Sequence, residues 1–329
     1  MEKELKPVLE AYGLHPTSLQ KKREVWKITT LQGTFALKKT KASSARLERI
    51  TASLEGLARF KVDGPIYPLP ERSGRLFLER EDGNYLLTPW IEGRTGEELF
   101  AETDWVKEAM ERLARIHRVM RQEVKTREKL LPAGQELLKN WNRRMKQMIA
   151  WKERVAKHAY PSPVDAVFMA NVEDLLEMSG RAAAELEAGI LEWEKEEESV
   201  ITFCHGRLST DHVLVAEHPY FLSFTHSVYD LPVRDLVYFL RHLLRKTRRK
   251  EELESWLSAY LAKNELDPFQ RRLLPLSFLY PIEVTRFLEQ YYEGKMKGSW
   301  FEIELVRRFE KLLDEQAFFR LVVAPPRSF

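Results

Sequence analysis

The stretch C-H-G-R-L-S-T-D-H-V-L-V at residues 204–215, followed by F-L-S-F at 221–224, decides the fold predicted for this chain. An apolar run at 200–203 leads into a short polar loop, and a second apolar run at 213–215 leaves it. A third run at 220–222 closes the segment. Short apolar runs bounded by polar turns are typical of buried strands. The segment therefore predicts strands packed around a tight polar loop.

This arrangement resembles the catalytic segment of the aminoglycoside phosphotransferase and choline kinase group, a branch of the protein-kinase-like fold. Members of that group carry H-G-D-x-x-x-x-N, then a short strand and an I-D-F-type metal motif. Here Arg207 stands at the position of the catalytic aspartate, His212 at that of the asparagine and Ser223 at that of the metal-binding aspartate. The resemblance implies that the framework is present and that these three positions are degenerate.

The three replacements remove the groups that phosphoryl transfer needs. A carboxylate accepts the proton of the substrate hydroxyl, and magnesium held by an aspartate and an asparagine neutralises the phosphates. Arg207 stays protonated at any working pH and cannot act as a base. Magnesium prefers hard oxygen ligands, whereas His212 offers a nitrogen and Ser223 a neutral hydroxyl. The sequence therefore predicts no intact catalytic residue, no metal site, and loss of ATP and magnesium as cofactors.

The loop leaves several contacts open. Arg207 has two possible partners, a neighbouring carboxylate such as Asp211 or a bound anion. His205 is interpreted as structural, because in the resembling family it packs behind the loop and braces its backbone. A transition-metal site made by His212 with Asp211 or His226 is disfavoured, because the spacing matches no metal-site pattern.

The first part of the chain predicts a helix at 2–12, followed by strands at 18–22, 25–30 and 34–39. The string W-K-I-T-T-L-Q-G-T-F-A-L-K-K at 26–39 resembles the opening sheet of the kinase-like N-lobe. The resemblance places Lys38 at the position of the lysine that contacts phosphates. The segment before this string contains no glycine, so it lacks a glycine-rich loop that would bring backbone amides close to phosphates.

An amphipathic helix is predicted at 43–60, with Ser43 or Ser44 as its cap and apolar residues every three or four positions. In kinases the helix at this position supplies the ion-pair partner of the lysine. Glu48 is the candidate for that vestigial role, and Glu55 is the alternative. The bland interpretation, a glutamate on the surface of an ordinary helix, stays open.

The resemblance implies an α+β, bilobal, protein-kinase-like fold with a small, mostly antiparallel N-lobe and a large helical C-lobe. Paired strands at 76–89 precede W-I-E-G-R, which resembles the hinge between the lobes. The predicted domains are therefore an N-lobe at 1–91 and a C-lobe at 92–329. The C-lobe would contain a helical insertion at about 125–198 and the degenerate catalytic loop at 204–224.

Two further strings in the C-lobe match the same family. L-A-R-I-H at 113–117 resembles its L-A-x-L-H, and the run at 229–241 resembles its P-x-x-D-L-A-x-F-L-R. The second string assigns Asp235 a structural role, capping a helix and bracing the catalytic loop. Between the two strings, a helix at 136–156, a pause near Pro161 and two further helices are predicted, the last at 181–198.

Composition describes a globular protein that is expected to stay inside the cell. The chain has 329 residues, 44% of them hydrophobic and 31% charged, with a net charge of +3. The charge is too evenly distributed to predict nucleic-acid binding. Cys204 is the only cysteine, so no intrachain disulfide is possible, and its place on a predicted buried strand favours an inert thiol. No signal peptide or membrane-spanning segment is predicted.

Within the phosphotransferase-like group the sequence most resembles the CotS-type, YsxE-like spore coat proteins of endospore-forming bacteria. The residues that carry this likeness are Y-G-L near the start, the string at 26–38, and the tryptophan-bearing insertion from Trp141. The resemblance implies synthesis in the mother cell, location in the spore coat and other coat proteins as partners. The predicted function is that of a pseudokinase with a structural, assembly or protein-binding role in sporulation.

Two functions of other classes stay open. One is a small-molecule phosphotransferase, of the aminoglycoside or choline type, that uses displaced residues such as Asp211 or Asp230. The other is a regulatory pseudokinase that binds a nucleotide or sugar phosphate through Lys38 and Arg207 without turnover. Turnover separates the first from the pseudokinase, and binding without metal separates the second from a scaffold.

Overall fold

A computed structural model describes residues 2–99, 102–244, 247, 249–296 and 298–318 of the chain. Its contacts divide the described chain into two compact units. The first unit comprises Met1–Arg121, Thr202–Asp230 and Trp256–Asn264, and the second comprises Gln122–Ile201, Leu231–Ser255 and Glu265–Phe329. The division into residues 1–91 and 92–329 stays a prediction.

Strands are concentrated in the first unit and long helices in the second. The strands are β1 Pro16–Lys22, β2 Val25–Thr30, β3 Gly33–Thr40, β4 Leu78–Arg80, β5 Gly83–Pro89, β6 Arg94–Thr95, β7 Gln122–Lys125, β8 Glu198–Cys204, β9 Val213–Val215, β10 Pro219–Phe221 and β11 Val228–Asp230. The helices are α1 Glu2–Ala11, α2 Ser44–Arg59, α3 Asp104–Val119, α4 Thr126–Lys129, α5 Leu131–Val155, α6 Pro163–Trp193, α7 Val233–Leu243, α8 Lys250–Leu261, α9 Pro268–Leu279, α10 Ile282–Tyr292 and α11 Phe301–Phe318.

A five-stranded antiparallel sheet in the first unit confirms the sheet predicted for the start of the chain. Its strands lie in the order β1-β2-β3-β5-β4. The turn at Leu31–Gln32 joins β2 to β3, with Thr30 opposite Gly33 and Val25 opposite Lys38. Helix α1 packs on this sheet, and Val8, Ile28 and Leu37 are fully buried in the shared core. The sheet therefore holds Lys38 in a fixed register beside β5.

Helix α2 follows the sequence prediction within one residue at each end. Leu47, Ile50, Leu54 and Leu57 form its buried stripe. Ser43 occupies the N-cap position with extended backbone angles, but its side chain makes no capping hydrogen bond. Burial of the apolar stripe is therefore the main source of this helix's stability.

The predicted strands around the polar loop are present in the first unit. Strand β9 pairs with β10 on one side and with β6 on the other. The last three residues of β8 pair with β11, so that Cys204 lies opposite Val228. Short antiparallel pairs thus fix both ends of the loop.

The predicted insertion at about 125–198 is helical in the second unit, but its division into helices needs correction. One continuous helix, α6, replaces the predicted second and third helices. Ser162 starts it with a capping box, in which its hydroxyl accepts from the amide of Asp165 while the Asp165 carboxylate accepts from the amide of Ser162. The helix continues through Gly180, where Met145 of α5 packs against the glycine. Tertiary packing here outweighs the low helix propensity of glycine.

The tryptophans of the insertion pack within the second unit. Trp141 is buried and stacks on Tyr280, with ring centroids 4.2 Å apart. Trp151 is buried beside Tyr292. These rings join α5 to the chain that follows α9, as expected for helix-on-helix packing. Among the described residues, no helix is both long enough and apolar enough to cross a membrane.

Candidate functional site

The polar loop begins with a backbone conformation that only glycine adopts without strain. Gly206 has φ of +82°, in the left-handed region. A Cβ atom at this position would lie 2.3 Å from the carbonyl oxygen of His226. Two backbone segments therefore touch here, and the glycine sets the direction in which Arg207 leaves the strand.

His205 connects the loop to the end of β10. Its ring is 2% exposed, and Nε2 lies 2.7 Å from the carbonyl oxygen of Leu222. A carbonyl oxygen can only accept, so Nε2 carries the proton and donates it. The hydroxyl of Ser227 donates to the carbonyl oxygen of His205 at 3.4 Å. The histidine thus contacts the backbone immediately before Ser223, and its structural role stays a prediction.

Lys38 and Ser223 meet, although 185 residues separate them in the sequence. The ammonium group of Lys38 donates a hydrogen bond to the hydroxyl oxygen of Ser223. Ser223 has φ of 66° and ψ of 57°, a left-handed conformation that is uncommon for serine. The structure therefore brings together the positions that the resemblance gives to the phosphate-contacting lysine and the metal-binding aspartate.

The surroundings of Lys38 disfavour its charge. Burial lowers its pKa below the ordinary value for lysine. The carboxylate of Glu24 acts in the opposite direction, while the guanidinium of Arg207 lowers the pKa further. An aspartate in place of Ser223 would counter this effect, but serine is neutral and leaves the positive charges facing each other.

His212 is a neutral imidazole in this setting. Its Nδ1 atom lies 2.9 Å from the hydroxyl oxygen of Ser209. Burial lowers its pKa to about 3, and His205, Lys38 and Arg207 contribute in the same direction. The ring therefore carries no charge at neutral pH, and one of its two nitrogens is engaged with Ser209.

His226 and Arg46 belong to the same group of residues around the loop. Burial lowers the pKa of His226, with further contributions from Arg207, Arg46 and Lys38. Arg46, on α2, also donates to the carbonyl oxygen of Ser227 at 3.5 Å. We call the following five residues the cationic cluster, in which the lysine and the two arginines carry the positive charge and disfavour the charged form of the two histidines: Lys38, Arg46, Arg207, His212 and His226.

Arg23 holds the turn between β1 and β2 against the loop. It has φ of 51°, and its guanidinium lies 3.4 Å from Asp211 and 3.3 Å from Glu98. Asp211, one of the candidate partners of Arg207, thus pairs with Arg23. A two-residue turn anchored by ion pairs therefore precedes β2, in the segment that contains no glycine.

Glu48 contacts Arg75, and this contact takes the place of the predicted pair with Lys38. The carboxylate of Glu48 lies 3.3 Å from the guanidinium of Arg75, and the Glu48 side chain is 62% exposed. The side chain therefore points to the surface of α2, which agrees with the bland interpretation of this residue.

Asp235 lies in the first turn of α7, in the second unit. It is fully buried, and Pro232 occupies the N-cap position of the helix. Asp235 is the third residue of the helix, and its predicted roles in capping the helix and bracing the loop stay predictions. A carboxylate in the first turn stabilises the helix dipole, so a structural role for Asp235 remains our interpretation.

The donor atoms at the three degenerate positions do not fit a magnesium ion. The Ser223 hydroxyl accepts from the Lys38 ammonium, and His212 offers an imidazole bonded to Ser209. Magnesium requires several oxygen ligands in octahedral geometry, preferably carboxylates. The adjacent positive charge of Arg207 would repel the ion further. These residues do suit an anion, which guanidinium and ammonium groups bind without a metal.

Sequence patterns missed two parts of this site. Glu24 and Arg46 carry no motif, because only the folded chain brings Glu24 near Lys38 and Arg46 near His226. The Arg23–Asp211 pair spans 188 residues, so no local spacing announces it. The absence of glycine before β2 was the one sequence signal that this turn differs from a glycine-rich loop.

Solved structures of phosphotransferases share the fold. An aminoglycoside phosphotransferase from Alicyclobacillus acidocaldarius aligns with a TM-score of 0.80 at 16% identity, covering 96% of this chain and 94% of that one. Spectinomycin phosphotransferase, solved with ADP and spectinomycin, gives 0.63 at 13%, covering 98% and 97%. A choline kinase from Streptococcus pneumoniae gives 0.52 at 15%, covering 95% and 99%. The α+β kinase-like fold predicted from the sequence is confirmed.

A family model also matches almost the whole chain. It is described as "spore coat putative kinase YutH", and it covers residues 6–320. This match confirms the resemblance to kinase-like spore coat proteins that Y-G-L near the start, the string at 26–38 and the insertion from Trp141 indicated. The chain therefore belongs to the YutH family of kinase-like spore coat proteins.

Proposed function

We propose that this protein is a catalytically inactive, kinase-like component of the spore coat, with a structural or protein-binding role in its assembly. It uses neither ATP nor magnesium as a cofactor. Its partners are other coat proteins, and it is made in the mother cell before it joins the spore surface. Membership of the spore coat family supports the location, and the chemistry of the degenerate positions supports the loss of catalysis.

One observation carries the loss of catalysis: the Lys38 ammonium bonds to the Ser223 hydroxyl within the cationic cluster. An active phosphotransferase keeps a metal-binding carboxylate beside this lysine. Here the lysine is paired with a neutral group, and Arg207 adds a positive charge at the position of the general base. A base and a metal site are both needed for transfer, and these residues supply neither.

A phosphotransferase with displaced carboxylates fits the structure less well. Asp211 is engaged by Arg23 at 3.4 Å, and Asp230 lies on β11 opposite Thr202. A general base must reach the substrate hydroxyl directly or through one water molecule. The Asp211 carboxylate is held by Arg23, and Asp230 belongs to β11 and not to the loop, so neither takes the place of the aspartate that Arg207 replaces.

The test compares the wild-type protein with a variant in which all three positions are restored. Turnover of ATP, with magnesium and a panel of amino alcohols and aminoglycosides, is measured for wild type and for R207D/H212N/S223D. We expect no turnover by wild type above a blank without protein. Wild-type turnover that depends on magnesium would contradict the proposal, and activity of the restored variant would show that the assay detects this fold's chemistry.

The assembly role is tested in a spore-forming host that lacks the native gene. Lys38→Met removes the ammonium that an active enzyme would need, while Met keeps a long side chain in the sheet. We expect this variant to join the spore and to restore coat composition as wild type does. A folded Lys38→Met protein that leaves the coat as defective as the deletion strain would contradict a scaffold role.

The cationic cluster favours a second candidate function, the binding of a phosphate-bearing ligand without metal. Arg207 is exposed, and its charge together with that of Lys38 disfavours the charged form of both histidines in the cluster. An anion would relieve this repulsion. Pyrophosphate added in the presence of a chelator would then raise the melting temperature of wild type, but not that of Arg207→Gln. No shift for wild type would exclude this candidate.

A further inference from the structure

Helices α5 and α6 run antiparallel in the second unit, and their contacts fix which residues lie at the same level. Gly134 lies beside Ile190: a Cβ atom added to the glycine would be 3.4 Å from the isoleucine side chain. Further along, Gly180 lies beside Met145 in the same way at 3.7 Å. As the number of the residue rises along α5, that of its neighbour falls along α6.

The two helices border a groove on the surface of this unit. Its volume is about 840 Å³, and it extends along α5 from Gln135 to Ala150. At 1.5 Å per residue this length is roughly 22 Å. Leu138, Ile190 and Leu191 supply apolar side chains to the groove, and Leu191 is 58% exposed. A leucine exposed to this degree beside other apolar groups marks a surface that a partner can cover.

Opposite charges flank the groove. The α5 side carries Lys139, Arg143 and Lys146, and the α6 side carries Glu187 and Glu194. Arg143 is engaged by Glu289 within the unit at 2.7 Å. Among the ion pairs of the described residues, Lys139 makes only a long, exposed contact of 3.8 Å with Glu136 of its own helix. One edge is therefore basic and the other acidic, with apolar side chains between them.

We propose that this groove docks a second copy of the chain, so that α5 and α6 of both copies form a four-helix bundle. A two-fold axis parallel to the helices places α5 of one copy over α6 of the other. Basic edges then meet acidic edges on both sides of the axis. A two-fold axis across the helices would instead stack α5 on α5 and place like charges together, which is unfavourable.

The same axis also sets the register. A rotation about an axis parallel to the helices leaves each residue at its own level along them. Lys139 is five residues beyond Gly134 on α5, and Glu187 is three residues before Ile190 on α6. The antiparallel arrangement puts these two residues at nearly the same level, so Lys139 of one copy faces Glu187 of the other. Symmetry repeats the pair.

The size of the surface predicts a weak dimer. A face about 22 Å long and two helices wide, at about 10 Å per helix, covers roughly 450 Å² on each copy. Stable interfaces bury about 800 Å² on each partner. We therefore expect a dissociation constant in the micromolar range. The exposed charge pairs should govern the specificity of the dimer more than its affinity.

Sedimentation equilibrium over a range of concentrations tests the proposal. Wild type is compared with Lys139→Glu, Glu187→Lys and the double variant K139E/E187K, all verified as folded by circular dichroism. Each single reversal creates two like-charge contacts and should raise the dissociation constant by about tenfold. The double variant exchanges the charges and should return to the wild-type value.

Three outcomes would overturn the proposal. The first is wild type that sediments as a monomer at every concentration up to about 200 µM, well above a micromolar dissociation constant. The second is a single reversal that associates as tightly as wild type. The third is a double variant whose dissociation constant does not return to the wild-type value. None of these results bears on ATP turnover, so failure here is distinguishable from failure of the proposed function.

Discussion

Ser223→Asp places a carboxylate beside Lys38 and tests the electrostatic description of the site. The hydroxyl of Ser223 already accepts a hydrogen bond from the Lys38 ammonium, so the new carboxylate would form an ion pair there. Arg207 adds a second positive charge nearby, since its guanidinium lowers the pKa of Lys38. We expect the variant to be more stable than wild type.

The magnitude follows from the geometry. Two unit charges about 4 Å apart attract by roughly 4 kcal/mol at an effective dielectric constant of about 20. Both Lys38 and Ser223 are only half-buried, so solvent screening and loss of carboxylate hydration reduce this gain. Hydrogen bonds to charged groups contribute about 1.5–3 kcal/mol in proteins. A net stabilisation of about 1–2 kcal/mol is therefore expected.

Chemical denaturation of Ser223→Asp and Ser223→Asn separates charge from backbone effects. Aspartate and asparagine both tolerate the left-handed conformation of position 223 better than most residues, so the asparagine variant carries that contribution without the charge. The difference in the free energy of unfolding between the two variants measures the electrostatic effect of the cationic cluster on a negative charge.

The same pair of variants has a defined pH dependence. Positive neighbours should lower the pKa of the new carboxyl below its unfolded value of about 3.9. A lowered carboxyl pKa means that the extra stability is present above that pH and is lost as the pH falls through the folded value. If Ser223→Asp is no more stable than Ser223→Asn at pH 7, the site is not cationic and the reasoning fails.

Three further changes have outcomes that denaturation experiments or NMR can check. Gly206→Ala should lower the free energy of unfolding by about 3 kcal/mol or more, because it combines φ of +82° with a backbone clash. Gly74→Ala is the control, since Gly74 has φ of +94° in open space and should cost only about 1 kcal/mol. Equal losses for the two variants would contradict the contact at Gly206. The guanidinium of Arg241 lies 3.1 Å from the carboxylate of Glu315, so Arg241→Met should lower the free energy of unfolding by about 3–5 kcal/mol by leaving that buried carboxylate without this partner. Adding Glu315→Leu should recover most of the loss, and no recovery would refute the pairing. His212 should stay neutral in NMR titrations above pH 5, since burial lowers its pKa to about 3. The unfolded histidine takes up a proton near pH 6.5, so His212 makes the protein lose stability as the pH falls below that value, and His212→Asn should remove this part of the slope.

Local patterns predicted the elements that depend on local chemistry. The strand-like runs at 25–30 and 34–39 and the apolar stripe of α2 predicted the β2–β3 hairpin and the first long helix nearly residue for residue. The loop at 204–215 lies between the predicted strands because its apolar runs pair with β6, β10 and β11. Each of these features is set by neighbours in sequence or by burial of one face.

Features that depend on distant contacts were not predictable in the same way. The continuation of α6 through Gly180 requires Met145, which comes from another helix. The spacing of α2 allowed Glu48 to face Lys38, but a partner outside the helix, Arg75, decides its contact. The neutral state of His212 likewise arises from burial and from charges far away in sequence.

The most direct test of the central claim is a thermal-shift titration of wild type with ATP, with and without magnesium. A ligand that binds only the native state at about 100 times its dissociation constant adds about 2.7 kcal/mol, which gives a clear shift. We predict that magnesium produces no shift beyond that seen with ATP and a chelator. A shift that requires magnesium would mean that a carboxylate elsewhere holds the metal, and it would contradict the conclusion that Arg207, His212 and Ser223 have ended phosphoryl transfer.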